Sequence, residues 1–272
     1  QLALIEVDGR VREIGPPAIF DDANFSPDGK YILTSRVERP YSYQFPYSRF
    51  PKKVEIWDAN GKLVKPVIDS PLQNNLPAQG VPVGPRSVSW VPTEPALLMW
   101  NEALDGGDPR KKASHRDKIM SWTAPFASAP AELLKTEQRQ QGRMFGEKAG
   151  LMLYYDYNRD TQHRRLFAID YRNPANPKLI SDLSTRDRYN DIGSPVMKSL
   201  PNGRNVVRQA DDDIYLSGTG ASPDGDRPFL RKLNLATLRS EELWRSGVEE
   251  YEAFVALLSD DGTAFLTRKE SV

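Results

Sequence analysis

The sequence predicts an all-β protein, specifically a β-propeller of four-stranded antiparallel blades. Three observations predict this fold. Turn signals flanked by strand-like residues recur, a second kind of hairpin lies between them, and no segment of ten or more residues is a convincing amphipathic helix. The repeating unit holds four strands over roughly 50 to 60 residues, which is typical of propellers. The competing interpretation is a β-sandwich with long irregular loops.

The first hairpin of each repeat is a short strand, a turn containing Gly or Pro, and a second strand. Its turns are Ser26-Pro27-Asp28-Gly29 and residues 91–95, 146–150, 200–203 and 259–262. The second hairpin carries an acidic residue or Asn near its tip. Its segments are residues 54–64, 118–134, 166–180 and 229–244. Ala131–Gln141 is the best helix candidate, but it fits a strand and linker equally well.

Two hairpins make one blade, so the chain contains four full blades plus two half-blades. The predicted blades are residues 20–68, 86–136, 142–183 and 193–246, with half-blades at 1–17 and 251–272. The half-blades are complementary and could close a five-bladed ring. The favoured interpretation is instead a piece of a larger propeller. The chain starts at Gln1 without Met and has no charged-then-apolar leader, so it is expected to be either processed or a fragment.

Composition excludes several classes of function. Lys plus Arg equals Asp plus Glu at 37 each, so nucleic acid and anionic membranes are not expected partners. The absence of cysteine excludes a thiol nucleophile, a disulfide framework and a Cys-based zinc site. The longest apolar runs have about five residues, far below the ~20 that span a bilayer.

No catalytic residue is predicted within this chain. Residues 220–224, Gly-Ala-Ser-Pro-Asp, miss the hydrolase Gly-x-Ser-x-Gly pattern by one position and precede no helix. The two histidines, His115 and His163, each lie in a charged loop, where a solvated side chain is the usual outcome. A Ser-His-Asp triad is therefore not expected here.

Acidic clusters raise the question of a metal site. Residues 156–160 place oxygen ligands at alternate positions, as calcium loops do, but lack the Gly and the distant Glu of such loops. Residues 105–108 and 211–213 are weaker cases. Turn geometry supplied by Asp and Asn explains all three clusters, so neither a metal nor any other cofactor is predicted.

One connection stands out, residues 39–58, RPYSYQFPYSRFPKKVEIWD, rich in aromatic, basic and proline residues. Only its end, with Trp57, looks like a strand. The five tryptophans all fall in predicted strands, where aromatic residues normally pack between blades. They are Trp57, Trp90, Trp100, Trp122 and Trp244.

This connection also resembles the glutamyl endopeptidase branch of the prolyl oligopeptidase family. The similar segments are Arg39–Tyr43 with Pro46, and residues 49–57, RFPKKVEIW. Further similarity lies at residues 15–18, 26–33, 104–108 and 116–117. The resemblance covers nearly the whole chain, and the RPYS-to-RFPKKVE segment is its specific part.

The resemblance implies the N-terminal propeller of a two-domain serine peptidase, typically with seven blades. The partner would be a C-terminal α/β-hydrolase domain of the same parent chain, which carries the triad and is absent here. The family is named for cleavage after Glu, so a cationic group must meet the substrate carboxylate. Substrate-binding candidates are Arg39 and Arg49, with Tyr41 and Tyr43 as stacking surface or hydroxyl donors.

The predicted function is to gate and select peptide substrates of a serine-type peptidase. Packing of the connection against the hydrolase domain or a neighbouring blade is the simpler explanation of that segment. A non-catalytic scaffold that binds protein partners is the alternative for the whole chain. Localisation is open: the family favours a bacterial periplasmic or secreted enzyme over a cytoplasmic or plastid one.

Overall fold

The computed structural model describes residues 1–270, which form β-strands joined by turns, with one 3-10 turn at Tyr47–Arg49. No helix among these residues is long and apolar enough to cross a membrane. Contacts divide the chain into two compact units, Gln1–Glu137 and a second that begins at Gln138.

The first unit contains one two-stranded and two four-stranded antiparallel sheets. The two-stranded sheet pairs β1 (Leu2–Ile5) with β2 (Val11–Ile14). The next sheet runs in the order β3 (Ile19–Phe25), β4 (Tyr31–Val37), β5 (Lys52–Asp58) and β6 (Leu63–Ser70). The third runs in chain order through β7 (Arg86–Trp90), β8 (Leu97–Ala103), β9 (Asp117–Thr123) and β10 (Ala131–Thr136).

The second unit begins with a four-stranded sheet in chain order. Its strands are β11 (Arg139–Phe145), β12 (Leu151–Asn158), β13 (His163–Asp170) and β14 (Lys178–Ser184). Strands β10 and β11 thus occupy the segment that was the best helix candidate. Their residues favour strands because each alternates exposed and more buried positions along part of its length.

The fourth large sheet is interrupted near its start. In chain order its region contains β15 (Ser194–Pro195), β16 (Met197–Ser199), β17 (Asn205–Val207), β18 (Gln209–Ala210), β19 (Asp213–Gly218), β20 (Ala221–Ser222), β21 (Gly225–Asp226), β22 (Phe229–Asn234) and β23 (Ser240–Arg245). The sheet order is β15-β19-β22-β23, with β18 also on β19. A last two-stranded sheet pairs β24 (Tyr251–Leu257) with β25 (Phe265–Glu270).

The turn at residues 200–203 lies outside this five-stranded sheet, which differs from the expectation that it joins two blade strands. It closes the separate hairpin β16–β17. The chain leaves the sheet after Pro195, forms this hairpin, and returns at Gln209 to pair with β19. The sequence predicts both the turn and the strands beside it. The structure differs only in the sheet to which these strands belong.

The core lies between the faces of successive sheets within each unit. In the first unit, Leu33 and Ile56 of one sheet pack with Trp90, Leu98 and Trp100 of the next. In the second, one cluster of buried side chains joins the β11–β14 sheet to the β15–β23 sheet: Leu153, Leu166, Ala168, Val207, Ile214, Leu216, Leu233 and Leu235. Face-to-face packing of four-stranded antiparallel sheets confirms the predicted all-β propeller fold class.

All five tryptophans lie in strands, as predicted. Trp57, Trp90 and Trp100 are buried, while Trp122 and Trp244 are half-buried. Trp57 packs with Ile14 and Ile32, and its ring meets Phe20 edge-on at 5.9 Å. These side chains therefore serve packing between sheets rather than a ligand cage.

The recurring turn has a simple physical basis. In Ser26-Pro27-Asp28-Gly29, the Ser26 hydroxyl donates to Asp28 at 2.7 Å and accepts from the Tyr31 amide at 3.0 Å. In residues 259–262 the same pattern recurs, with Ser259 donating to Asp261 at 2.7 Å and accepting from Ala264 at 2.9 Å. The glycine that ends each turn has positive φ.

Hydrogen bonds from Ser259 and Thr263 lower the pKa of Asp261 to about 2 from the usual 3.8. We expect Ser259→Ala to raise this pKa toward its ordinary value. A carboxyl whose pKa is lowered by folding stabilises the fold above its unfolded pKa, and this contribution is lost as pH falls through the folded pKa. The turn should therefore persist below pH 4 and loosen only near pH 2 in the unmodified protein. In Ser259→Ala it should loosen at a higher pH. An NMR titration of the Asp261 carboxyl measures this. An unchanged pKa in Ser259→Ala would contradict the assignment.

Candidate functional site

The connection between β4 and β5, residues 38–51, is a tethered loop on the first unit. Its two ends are joined where the Glu38 amide donates to the Pro51 carbonyl at 2.8 Å. The 3-10 turn Tyr47–Arg49 shortens its second half, following Pro46. The Gln73 amide donates to the Arg49 carbonyl at 2.8 Å, which ties the loop to the segment after β6.

Stacked rings and guanidinium groups organise the loop. Arg39 lies over the Tyr41 ring at 5.5 Å, and Tyr41 stacks on Phe50 at 5.9 Å. Arg49 lies over Phe45 at 5.7 Å. Tyr43 is fully exposed. The structure thus joins Arg39 to Tyr41 directly, while Arg49 has its own aromatic partner and Tyr43 projects into solvent.

Ion pairing separates the basic residues of this region into two groups. Arg36 binds the buried Glu55 and also Glu38, while Lys52 pairs with Asp21 and Lys53 with Asp69. Neither Arg39 nor Arg49 forms an ion pair with a carboxylate among residues 1–270. Their guanidinium groups are therefore available to an external carboxylate.

The Lys52–Asp21 pair fixes the base of the loop. Burial raises the pKa of Asp21, but hydrogen bonds from Lys52 and Ser35 lower it more, so the net pKa lies below 3.8. The carboxylate is thus ionised at neutral pH and holds the Lys52 ammonium. Lys52 also lies over the Tyr47 ring at 5.4 Å, which links the pair to the exposed aromatic surface.

A cavity of about 830 Å³ lies beside the loop within the first unit. Ser48, Phe50 and Lys52 line one side, and residues 71–77 and 81–88 line another. Its walls combine apolar side chains with many polar and charged ones, among them Asp22, Lys52 and Asp69. The cavity and the loop together form the candidate site.

The cavity wall formed by residues 71–85 is held by a close backbone contact. The Val81 amide donates to the Gly107 carbonyl at 3.0 Å. Gly107 has a φ of +74°, and a Cβ at this position would overlap the carbonyl oxygen of Val81. Its neighbour Asp105 is buried and accepts hydrogen bonds from the Gly107 amide and Arg116, each at 3.0 Å. The acidic cluster at 105–108 therefore shapes the cavity wall.

The other sequence candidates have local partners. Asp156 accepts two hydrogen bonds from Arg165, at 2.9 and 2.6 Å, rather than lying in an open loop. His163 Nδ1 lies 2.8 Å from Asp182, and His115 Nδ1 lies 3.3 Å from the Ser114 hydroxyl. Among the described residues, no group of three or more His, Cys, Asp or Glu side chains is arranged to hold a metal ion.

Sequence reasoning missed the cavity and its 71–85 wall. A signal was present, because this proline- and glycine-rich run makes an unusually long connection between two four-stranded sheets. The run has no strand periodicity, so it reads as an ordinary linker. Its role as a wall follows only from where it folds.

By sequence the chain is similar to two plant proteins. It is 36% identical to a probable chloroplastic glutamyl endopeptidase of Oryza sativa subsp. japonica over 289 aligned residues, covering all of this chain and 31% of that protein. The corresponding Arabidopsis thaliana protein is 34% identical, covering 99% of this chain and 29% of its own length. The chain thus spans about a third of the length of these relatives. No family model matches it.

A solved structure supports the fold. A candidate dipeptidyl aminopeptidase IV from Bacteroides ovatus superimposes with a TM-score of 0.51 at 11% identity, covering 96% of this chain and 35% of that one. At this identity the similarity concerns the fold alone.

Proposed function

We propose that this chain is a substrate-gating and substrate-selecting propeller domain of a serine-type peptidase. The proposal is supported by similarity over the whole chain to the probable glutamyl endopeptidases, which confirms the predicted resemblance. The relatives are about three times longer, which leaves room for a catalytic domain in the parent chain. The proposed partners are peptide substrates and that α/β-hydrolase domain.

The observation that carries the selecting role is the pair of arginines without carboxylate partners on the 38–51 loop. Arg39 and Arg49 are each held by an aromatic ring, so their side chains are ordered before a substrate arrives. An ordered guanidinium binds a carboxylate with less loss of conformational entropy. The loop can therefore hold an acidic peptide side chain, with Tyr41 and Tyr43 as adjoining surface.

The alternative function is a scaffold that binds protein partners without a catalytic domain. The exposed tyrosines Tyr41, Tyr43 and Tyr47 favour it, since exposed aromatic residues are common at protein interfaces. The parent gene distinguishes the two. A Gly-x-Ser-x-Gly segment a few hundred residues after position 272 supports the peptidase, whereas a stop codon or further blades alone support the scaffold.

The selecting role is tested in the full-length natural protein by Arg39→Ala and Arg49→Ala. We expect kcat/KM for peptides with Glu at the cleaved position to fall about 10- to 100-fold, the effect of losing a charged hydrogen bond of about 1.5–3 kcal/mol. Matched peptides with Gln should change less than about twofold. Steady-state cleavage assays with the two peptide series measure the difference.

Arg10→Ala is the matched control, because it removes the same charge from the exposed β1–β2 turn, where Arg10 pairs with Glu6 and Asp8. It should leave both peptide series unchanged. An equal loss for Glu and Gln peptides in the Arg39 and Arg49 variants would show that the loop serves packing and not selection.

A further inference from the structure

A second cleft, of about 330 Å³, lies within the second unit between its last two sheets. Residues 195–197 line one side and residues 254–257 of β24 the other, with Arg208 and Ser217 completing the wall. Arg208 is the single charged residue in this lining. Apart from Arg208 and Ser217, the lining residues are apolar in type.

Arg208 is positioned by backbone and side-chain contacts. Its amide donates to the Val196 carbonyl at 2.8 Å, and its Nη2 donates to Asp260 at 2.6 Å. The side chain is only 13% exposed, whereas Asp260 is 82% exposed and largely screened by solvent. Arg208 Nε is buried and has no hydrogen-bond partner within residues 1–270. A guanidinium has five N–H donors, and the bond to Asp260 uses one of those on Nη2, so the terminal nitrogens keep further donors for a ligand.

The neighbouring ionic groups leave this capacity in place. Lys198 pairs with Glu147 and lies 3.7 Å from Asp260. Glu147 is thus bound to Lys198, and Asp260 is shared between Lys198 and Arg208. No acidic residue is among those that line the cleft. An incoming carboxylate therefore competes for Arg208 only with Asp260, which is 82% exposed and lies outside the cleft lining.

The strand β24 adds a second feature. Within the described residues it pairs only with β25, so its other edge has no strand partner among them. A register shift at Val255 marks a β-bulge, and Val255 and Met197 are exposed apolar side chains of the cleft lining. An open strand edge with an adjacent side-chain pocket is the arrangement by which proteins bind extended peptides.

We propose that this cleft binds an extended peptide along β24, with an acidic side chain of the peptide held by Arg208. The proposal rests on the proposed function, because it names acidic peptides as the class that the domain handles. The cleft is a separate contact from Arg39 and Arg49.

The test measures binding of acetyl-Ala-Glu-Ala-amide and its Gln analogue to the 272-residue chain by NMR chemical-shift titration. We expect the Glu peptide to bind about tenfold more tightly than the Gln peptide, with shifts at residues 254–257. Arg208→Met should abolish the difference, since Met keeps the length of the side chain without the charge. Lys148→Met, which removes a nearby exposed cation paired with Asp211, should retain it.

Val255→Glu is a second variant at the exposed bulge, in case Arg208→Met does not fold. It places a carboxylate at the cleft and should weaken binding of the Glu peptide. Equal affinities of the two peptides for the unmodified chain would overturn the proposal, as would a difference that survives in Arg208→Met. Failure of the Arg39 and Arg49 cleavage test leaves this binding result intact, so the two proposals fail separately.

Discussion

Replacing Asp156 by Ala is expected to lower the free energy of unfolding by about 3–5 kcal/mol, the usual cost of removing one partner from a buried ion pair. The Asp156 side chain is 1% exposed and accepts two hydrogen bonds from Arg165. It also accepts from the Gln138 amide at 3.2 Å. Without the carboxylate, the guanidinium between β12 and β13 loses the charge that compensates its burial. Urea-induced unfolding followed by circular dichroism measures the change.

Two controls isolate the charge effect. The double variant Asp156→Leu with Arg165→Met replaces the pair by apolar side chains, which is often neutral or stabilising. It should recover most of the lost stability. Glu241→Ala removes a partner of Lys232 in an exposed pair on β22 and β23, and should cost less than about 1 kcal/mol. Similar losses for Asp156→Ala and Glu241→Ala would show that burial does not govern the effect.

Gly107→Ala is the second large expected effect, with a loss of about 2–5 kcal/mol in the free energy of unfolding. Left-handed backbone costs an L-residue about 1–2 kcal/mol, and forcing atoms into packed space costs about 1–3 kcal/mol. Gly107 has positive φ, and the added Cβ would overlap the Val81 carbonyl oxygen. The segment at residues 71–85 must then move, which alters the wall of the 830 Å³ cavity. The same unfolding experiment measures the loss.

Gly203→Ala is the matched control, since Gly203 has a φ of +76° but no atom within 4 Å of a Cβ. It should lose only the backbone contribution of about 1–2 kcal/mol. The difference between the two variants is the steric effect of the Val81 contact. Equal losses would contradict a close approach at this position. In the full-length protein, Gly107→Ala should also change peptide KM if the cavity takes part in substrate binding.

The strands were predictable because their signals are local. Alternating side chains, Asn60-Gly61 and the Ser-x-Asp-Gly turns specify hairpins through contacts a few residues apart, as in the hydrogen bonds of Ser26 and Ser259. The all-β propeller class followed from counting these hairpins. The hairpin at residues 197–207 shows the limit of the method. The sequence identified its turn, but it did not show that these strands form a sheet separate from the neighbouring larger one.

The candidate site was predictable only in composition. The aromatic and basic content of residues 39–51 is visible in the sequence, and Arg39, Tyr41, Tyr43 and Arg49 remain predictions as substrate contacts. Whether an arginine is free for a ligand depends on carboxylates far away in the chain. Arg36 binds Glu55 and Lys52 binds Asp21, and these pairings follow from strand register.

The sequence by itself determined most hairpin turns, the all-β propeller class and the similarity to glutamyl endopeptidases, because these depend on short-range patterns and on residue identity. Only the tertiary structure decided which cations lack carboxylate partners, where residues 71–85 fold, and how Arg208 comes to line a cleft beside β24. The physical reason is that burial and ion pairing are properties of side chains brought together from distant positions. Chain folding, and not local propensity, chooses those neighbours.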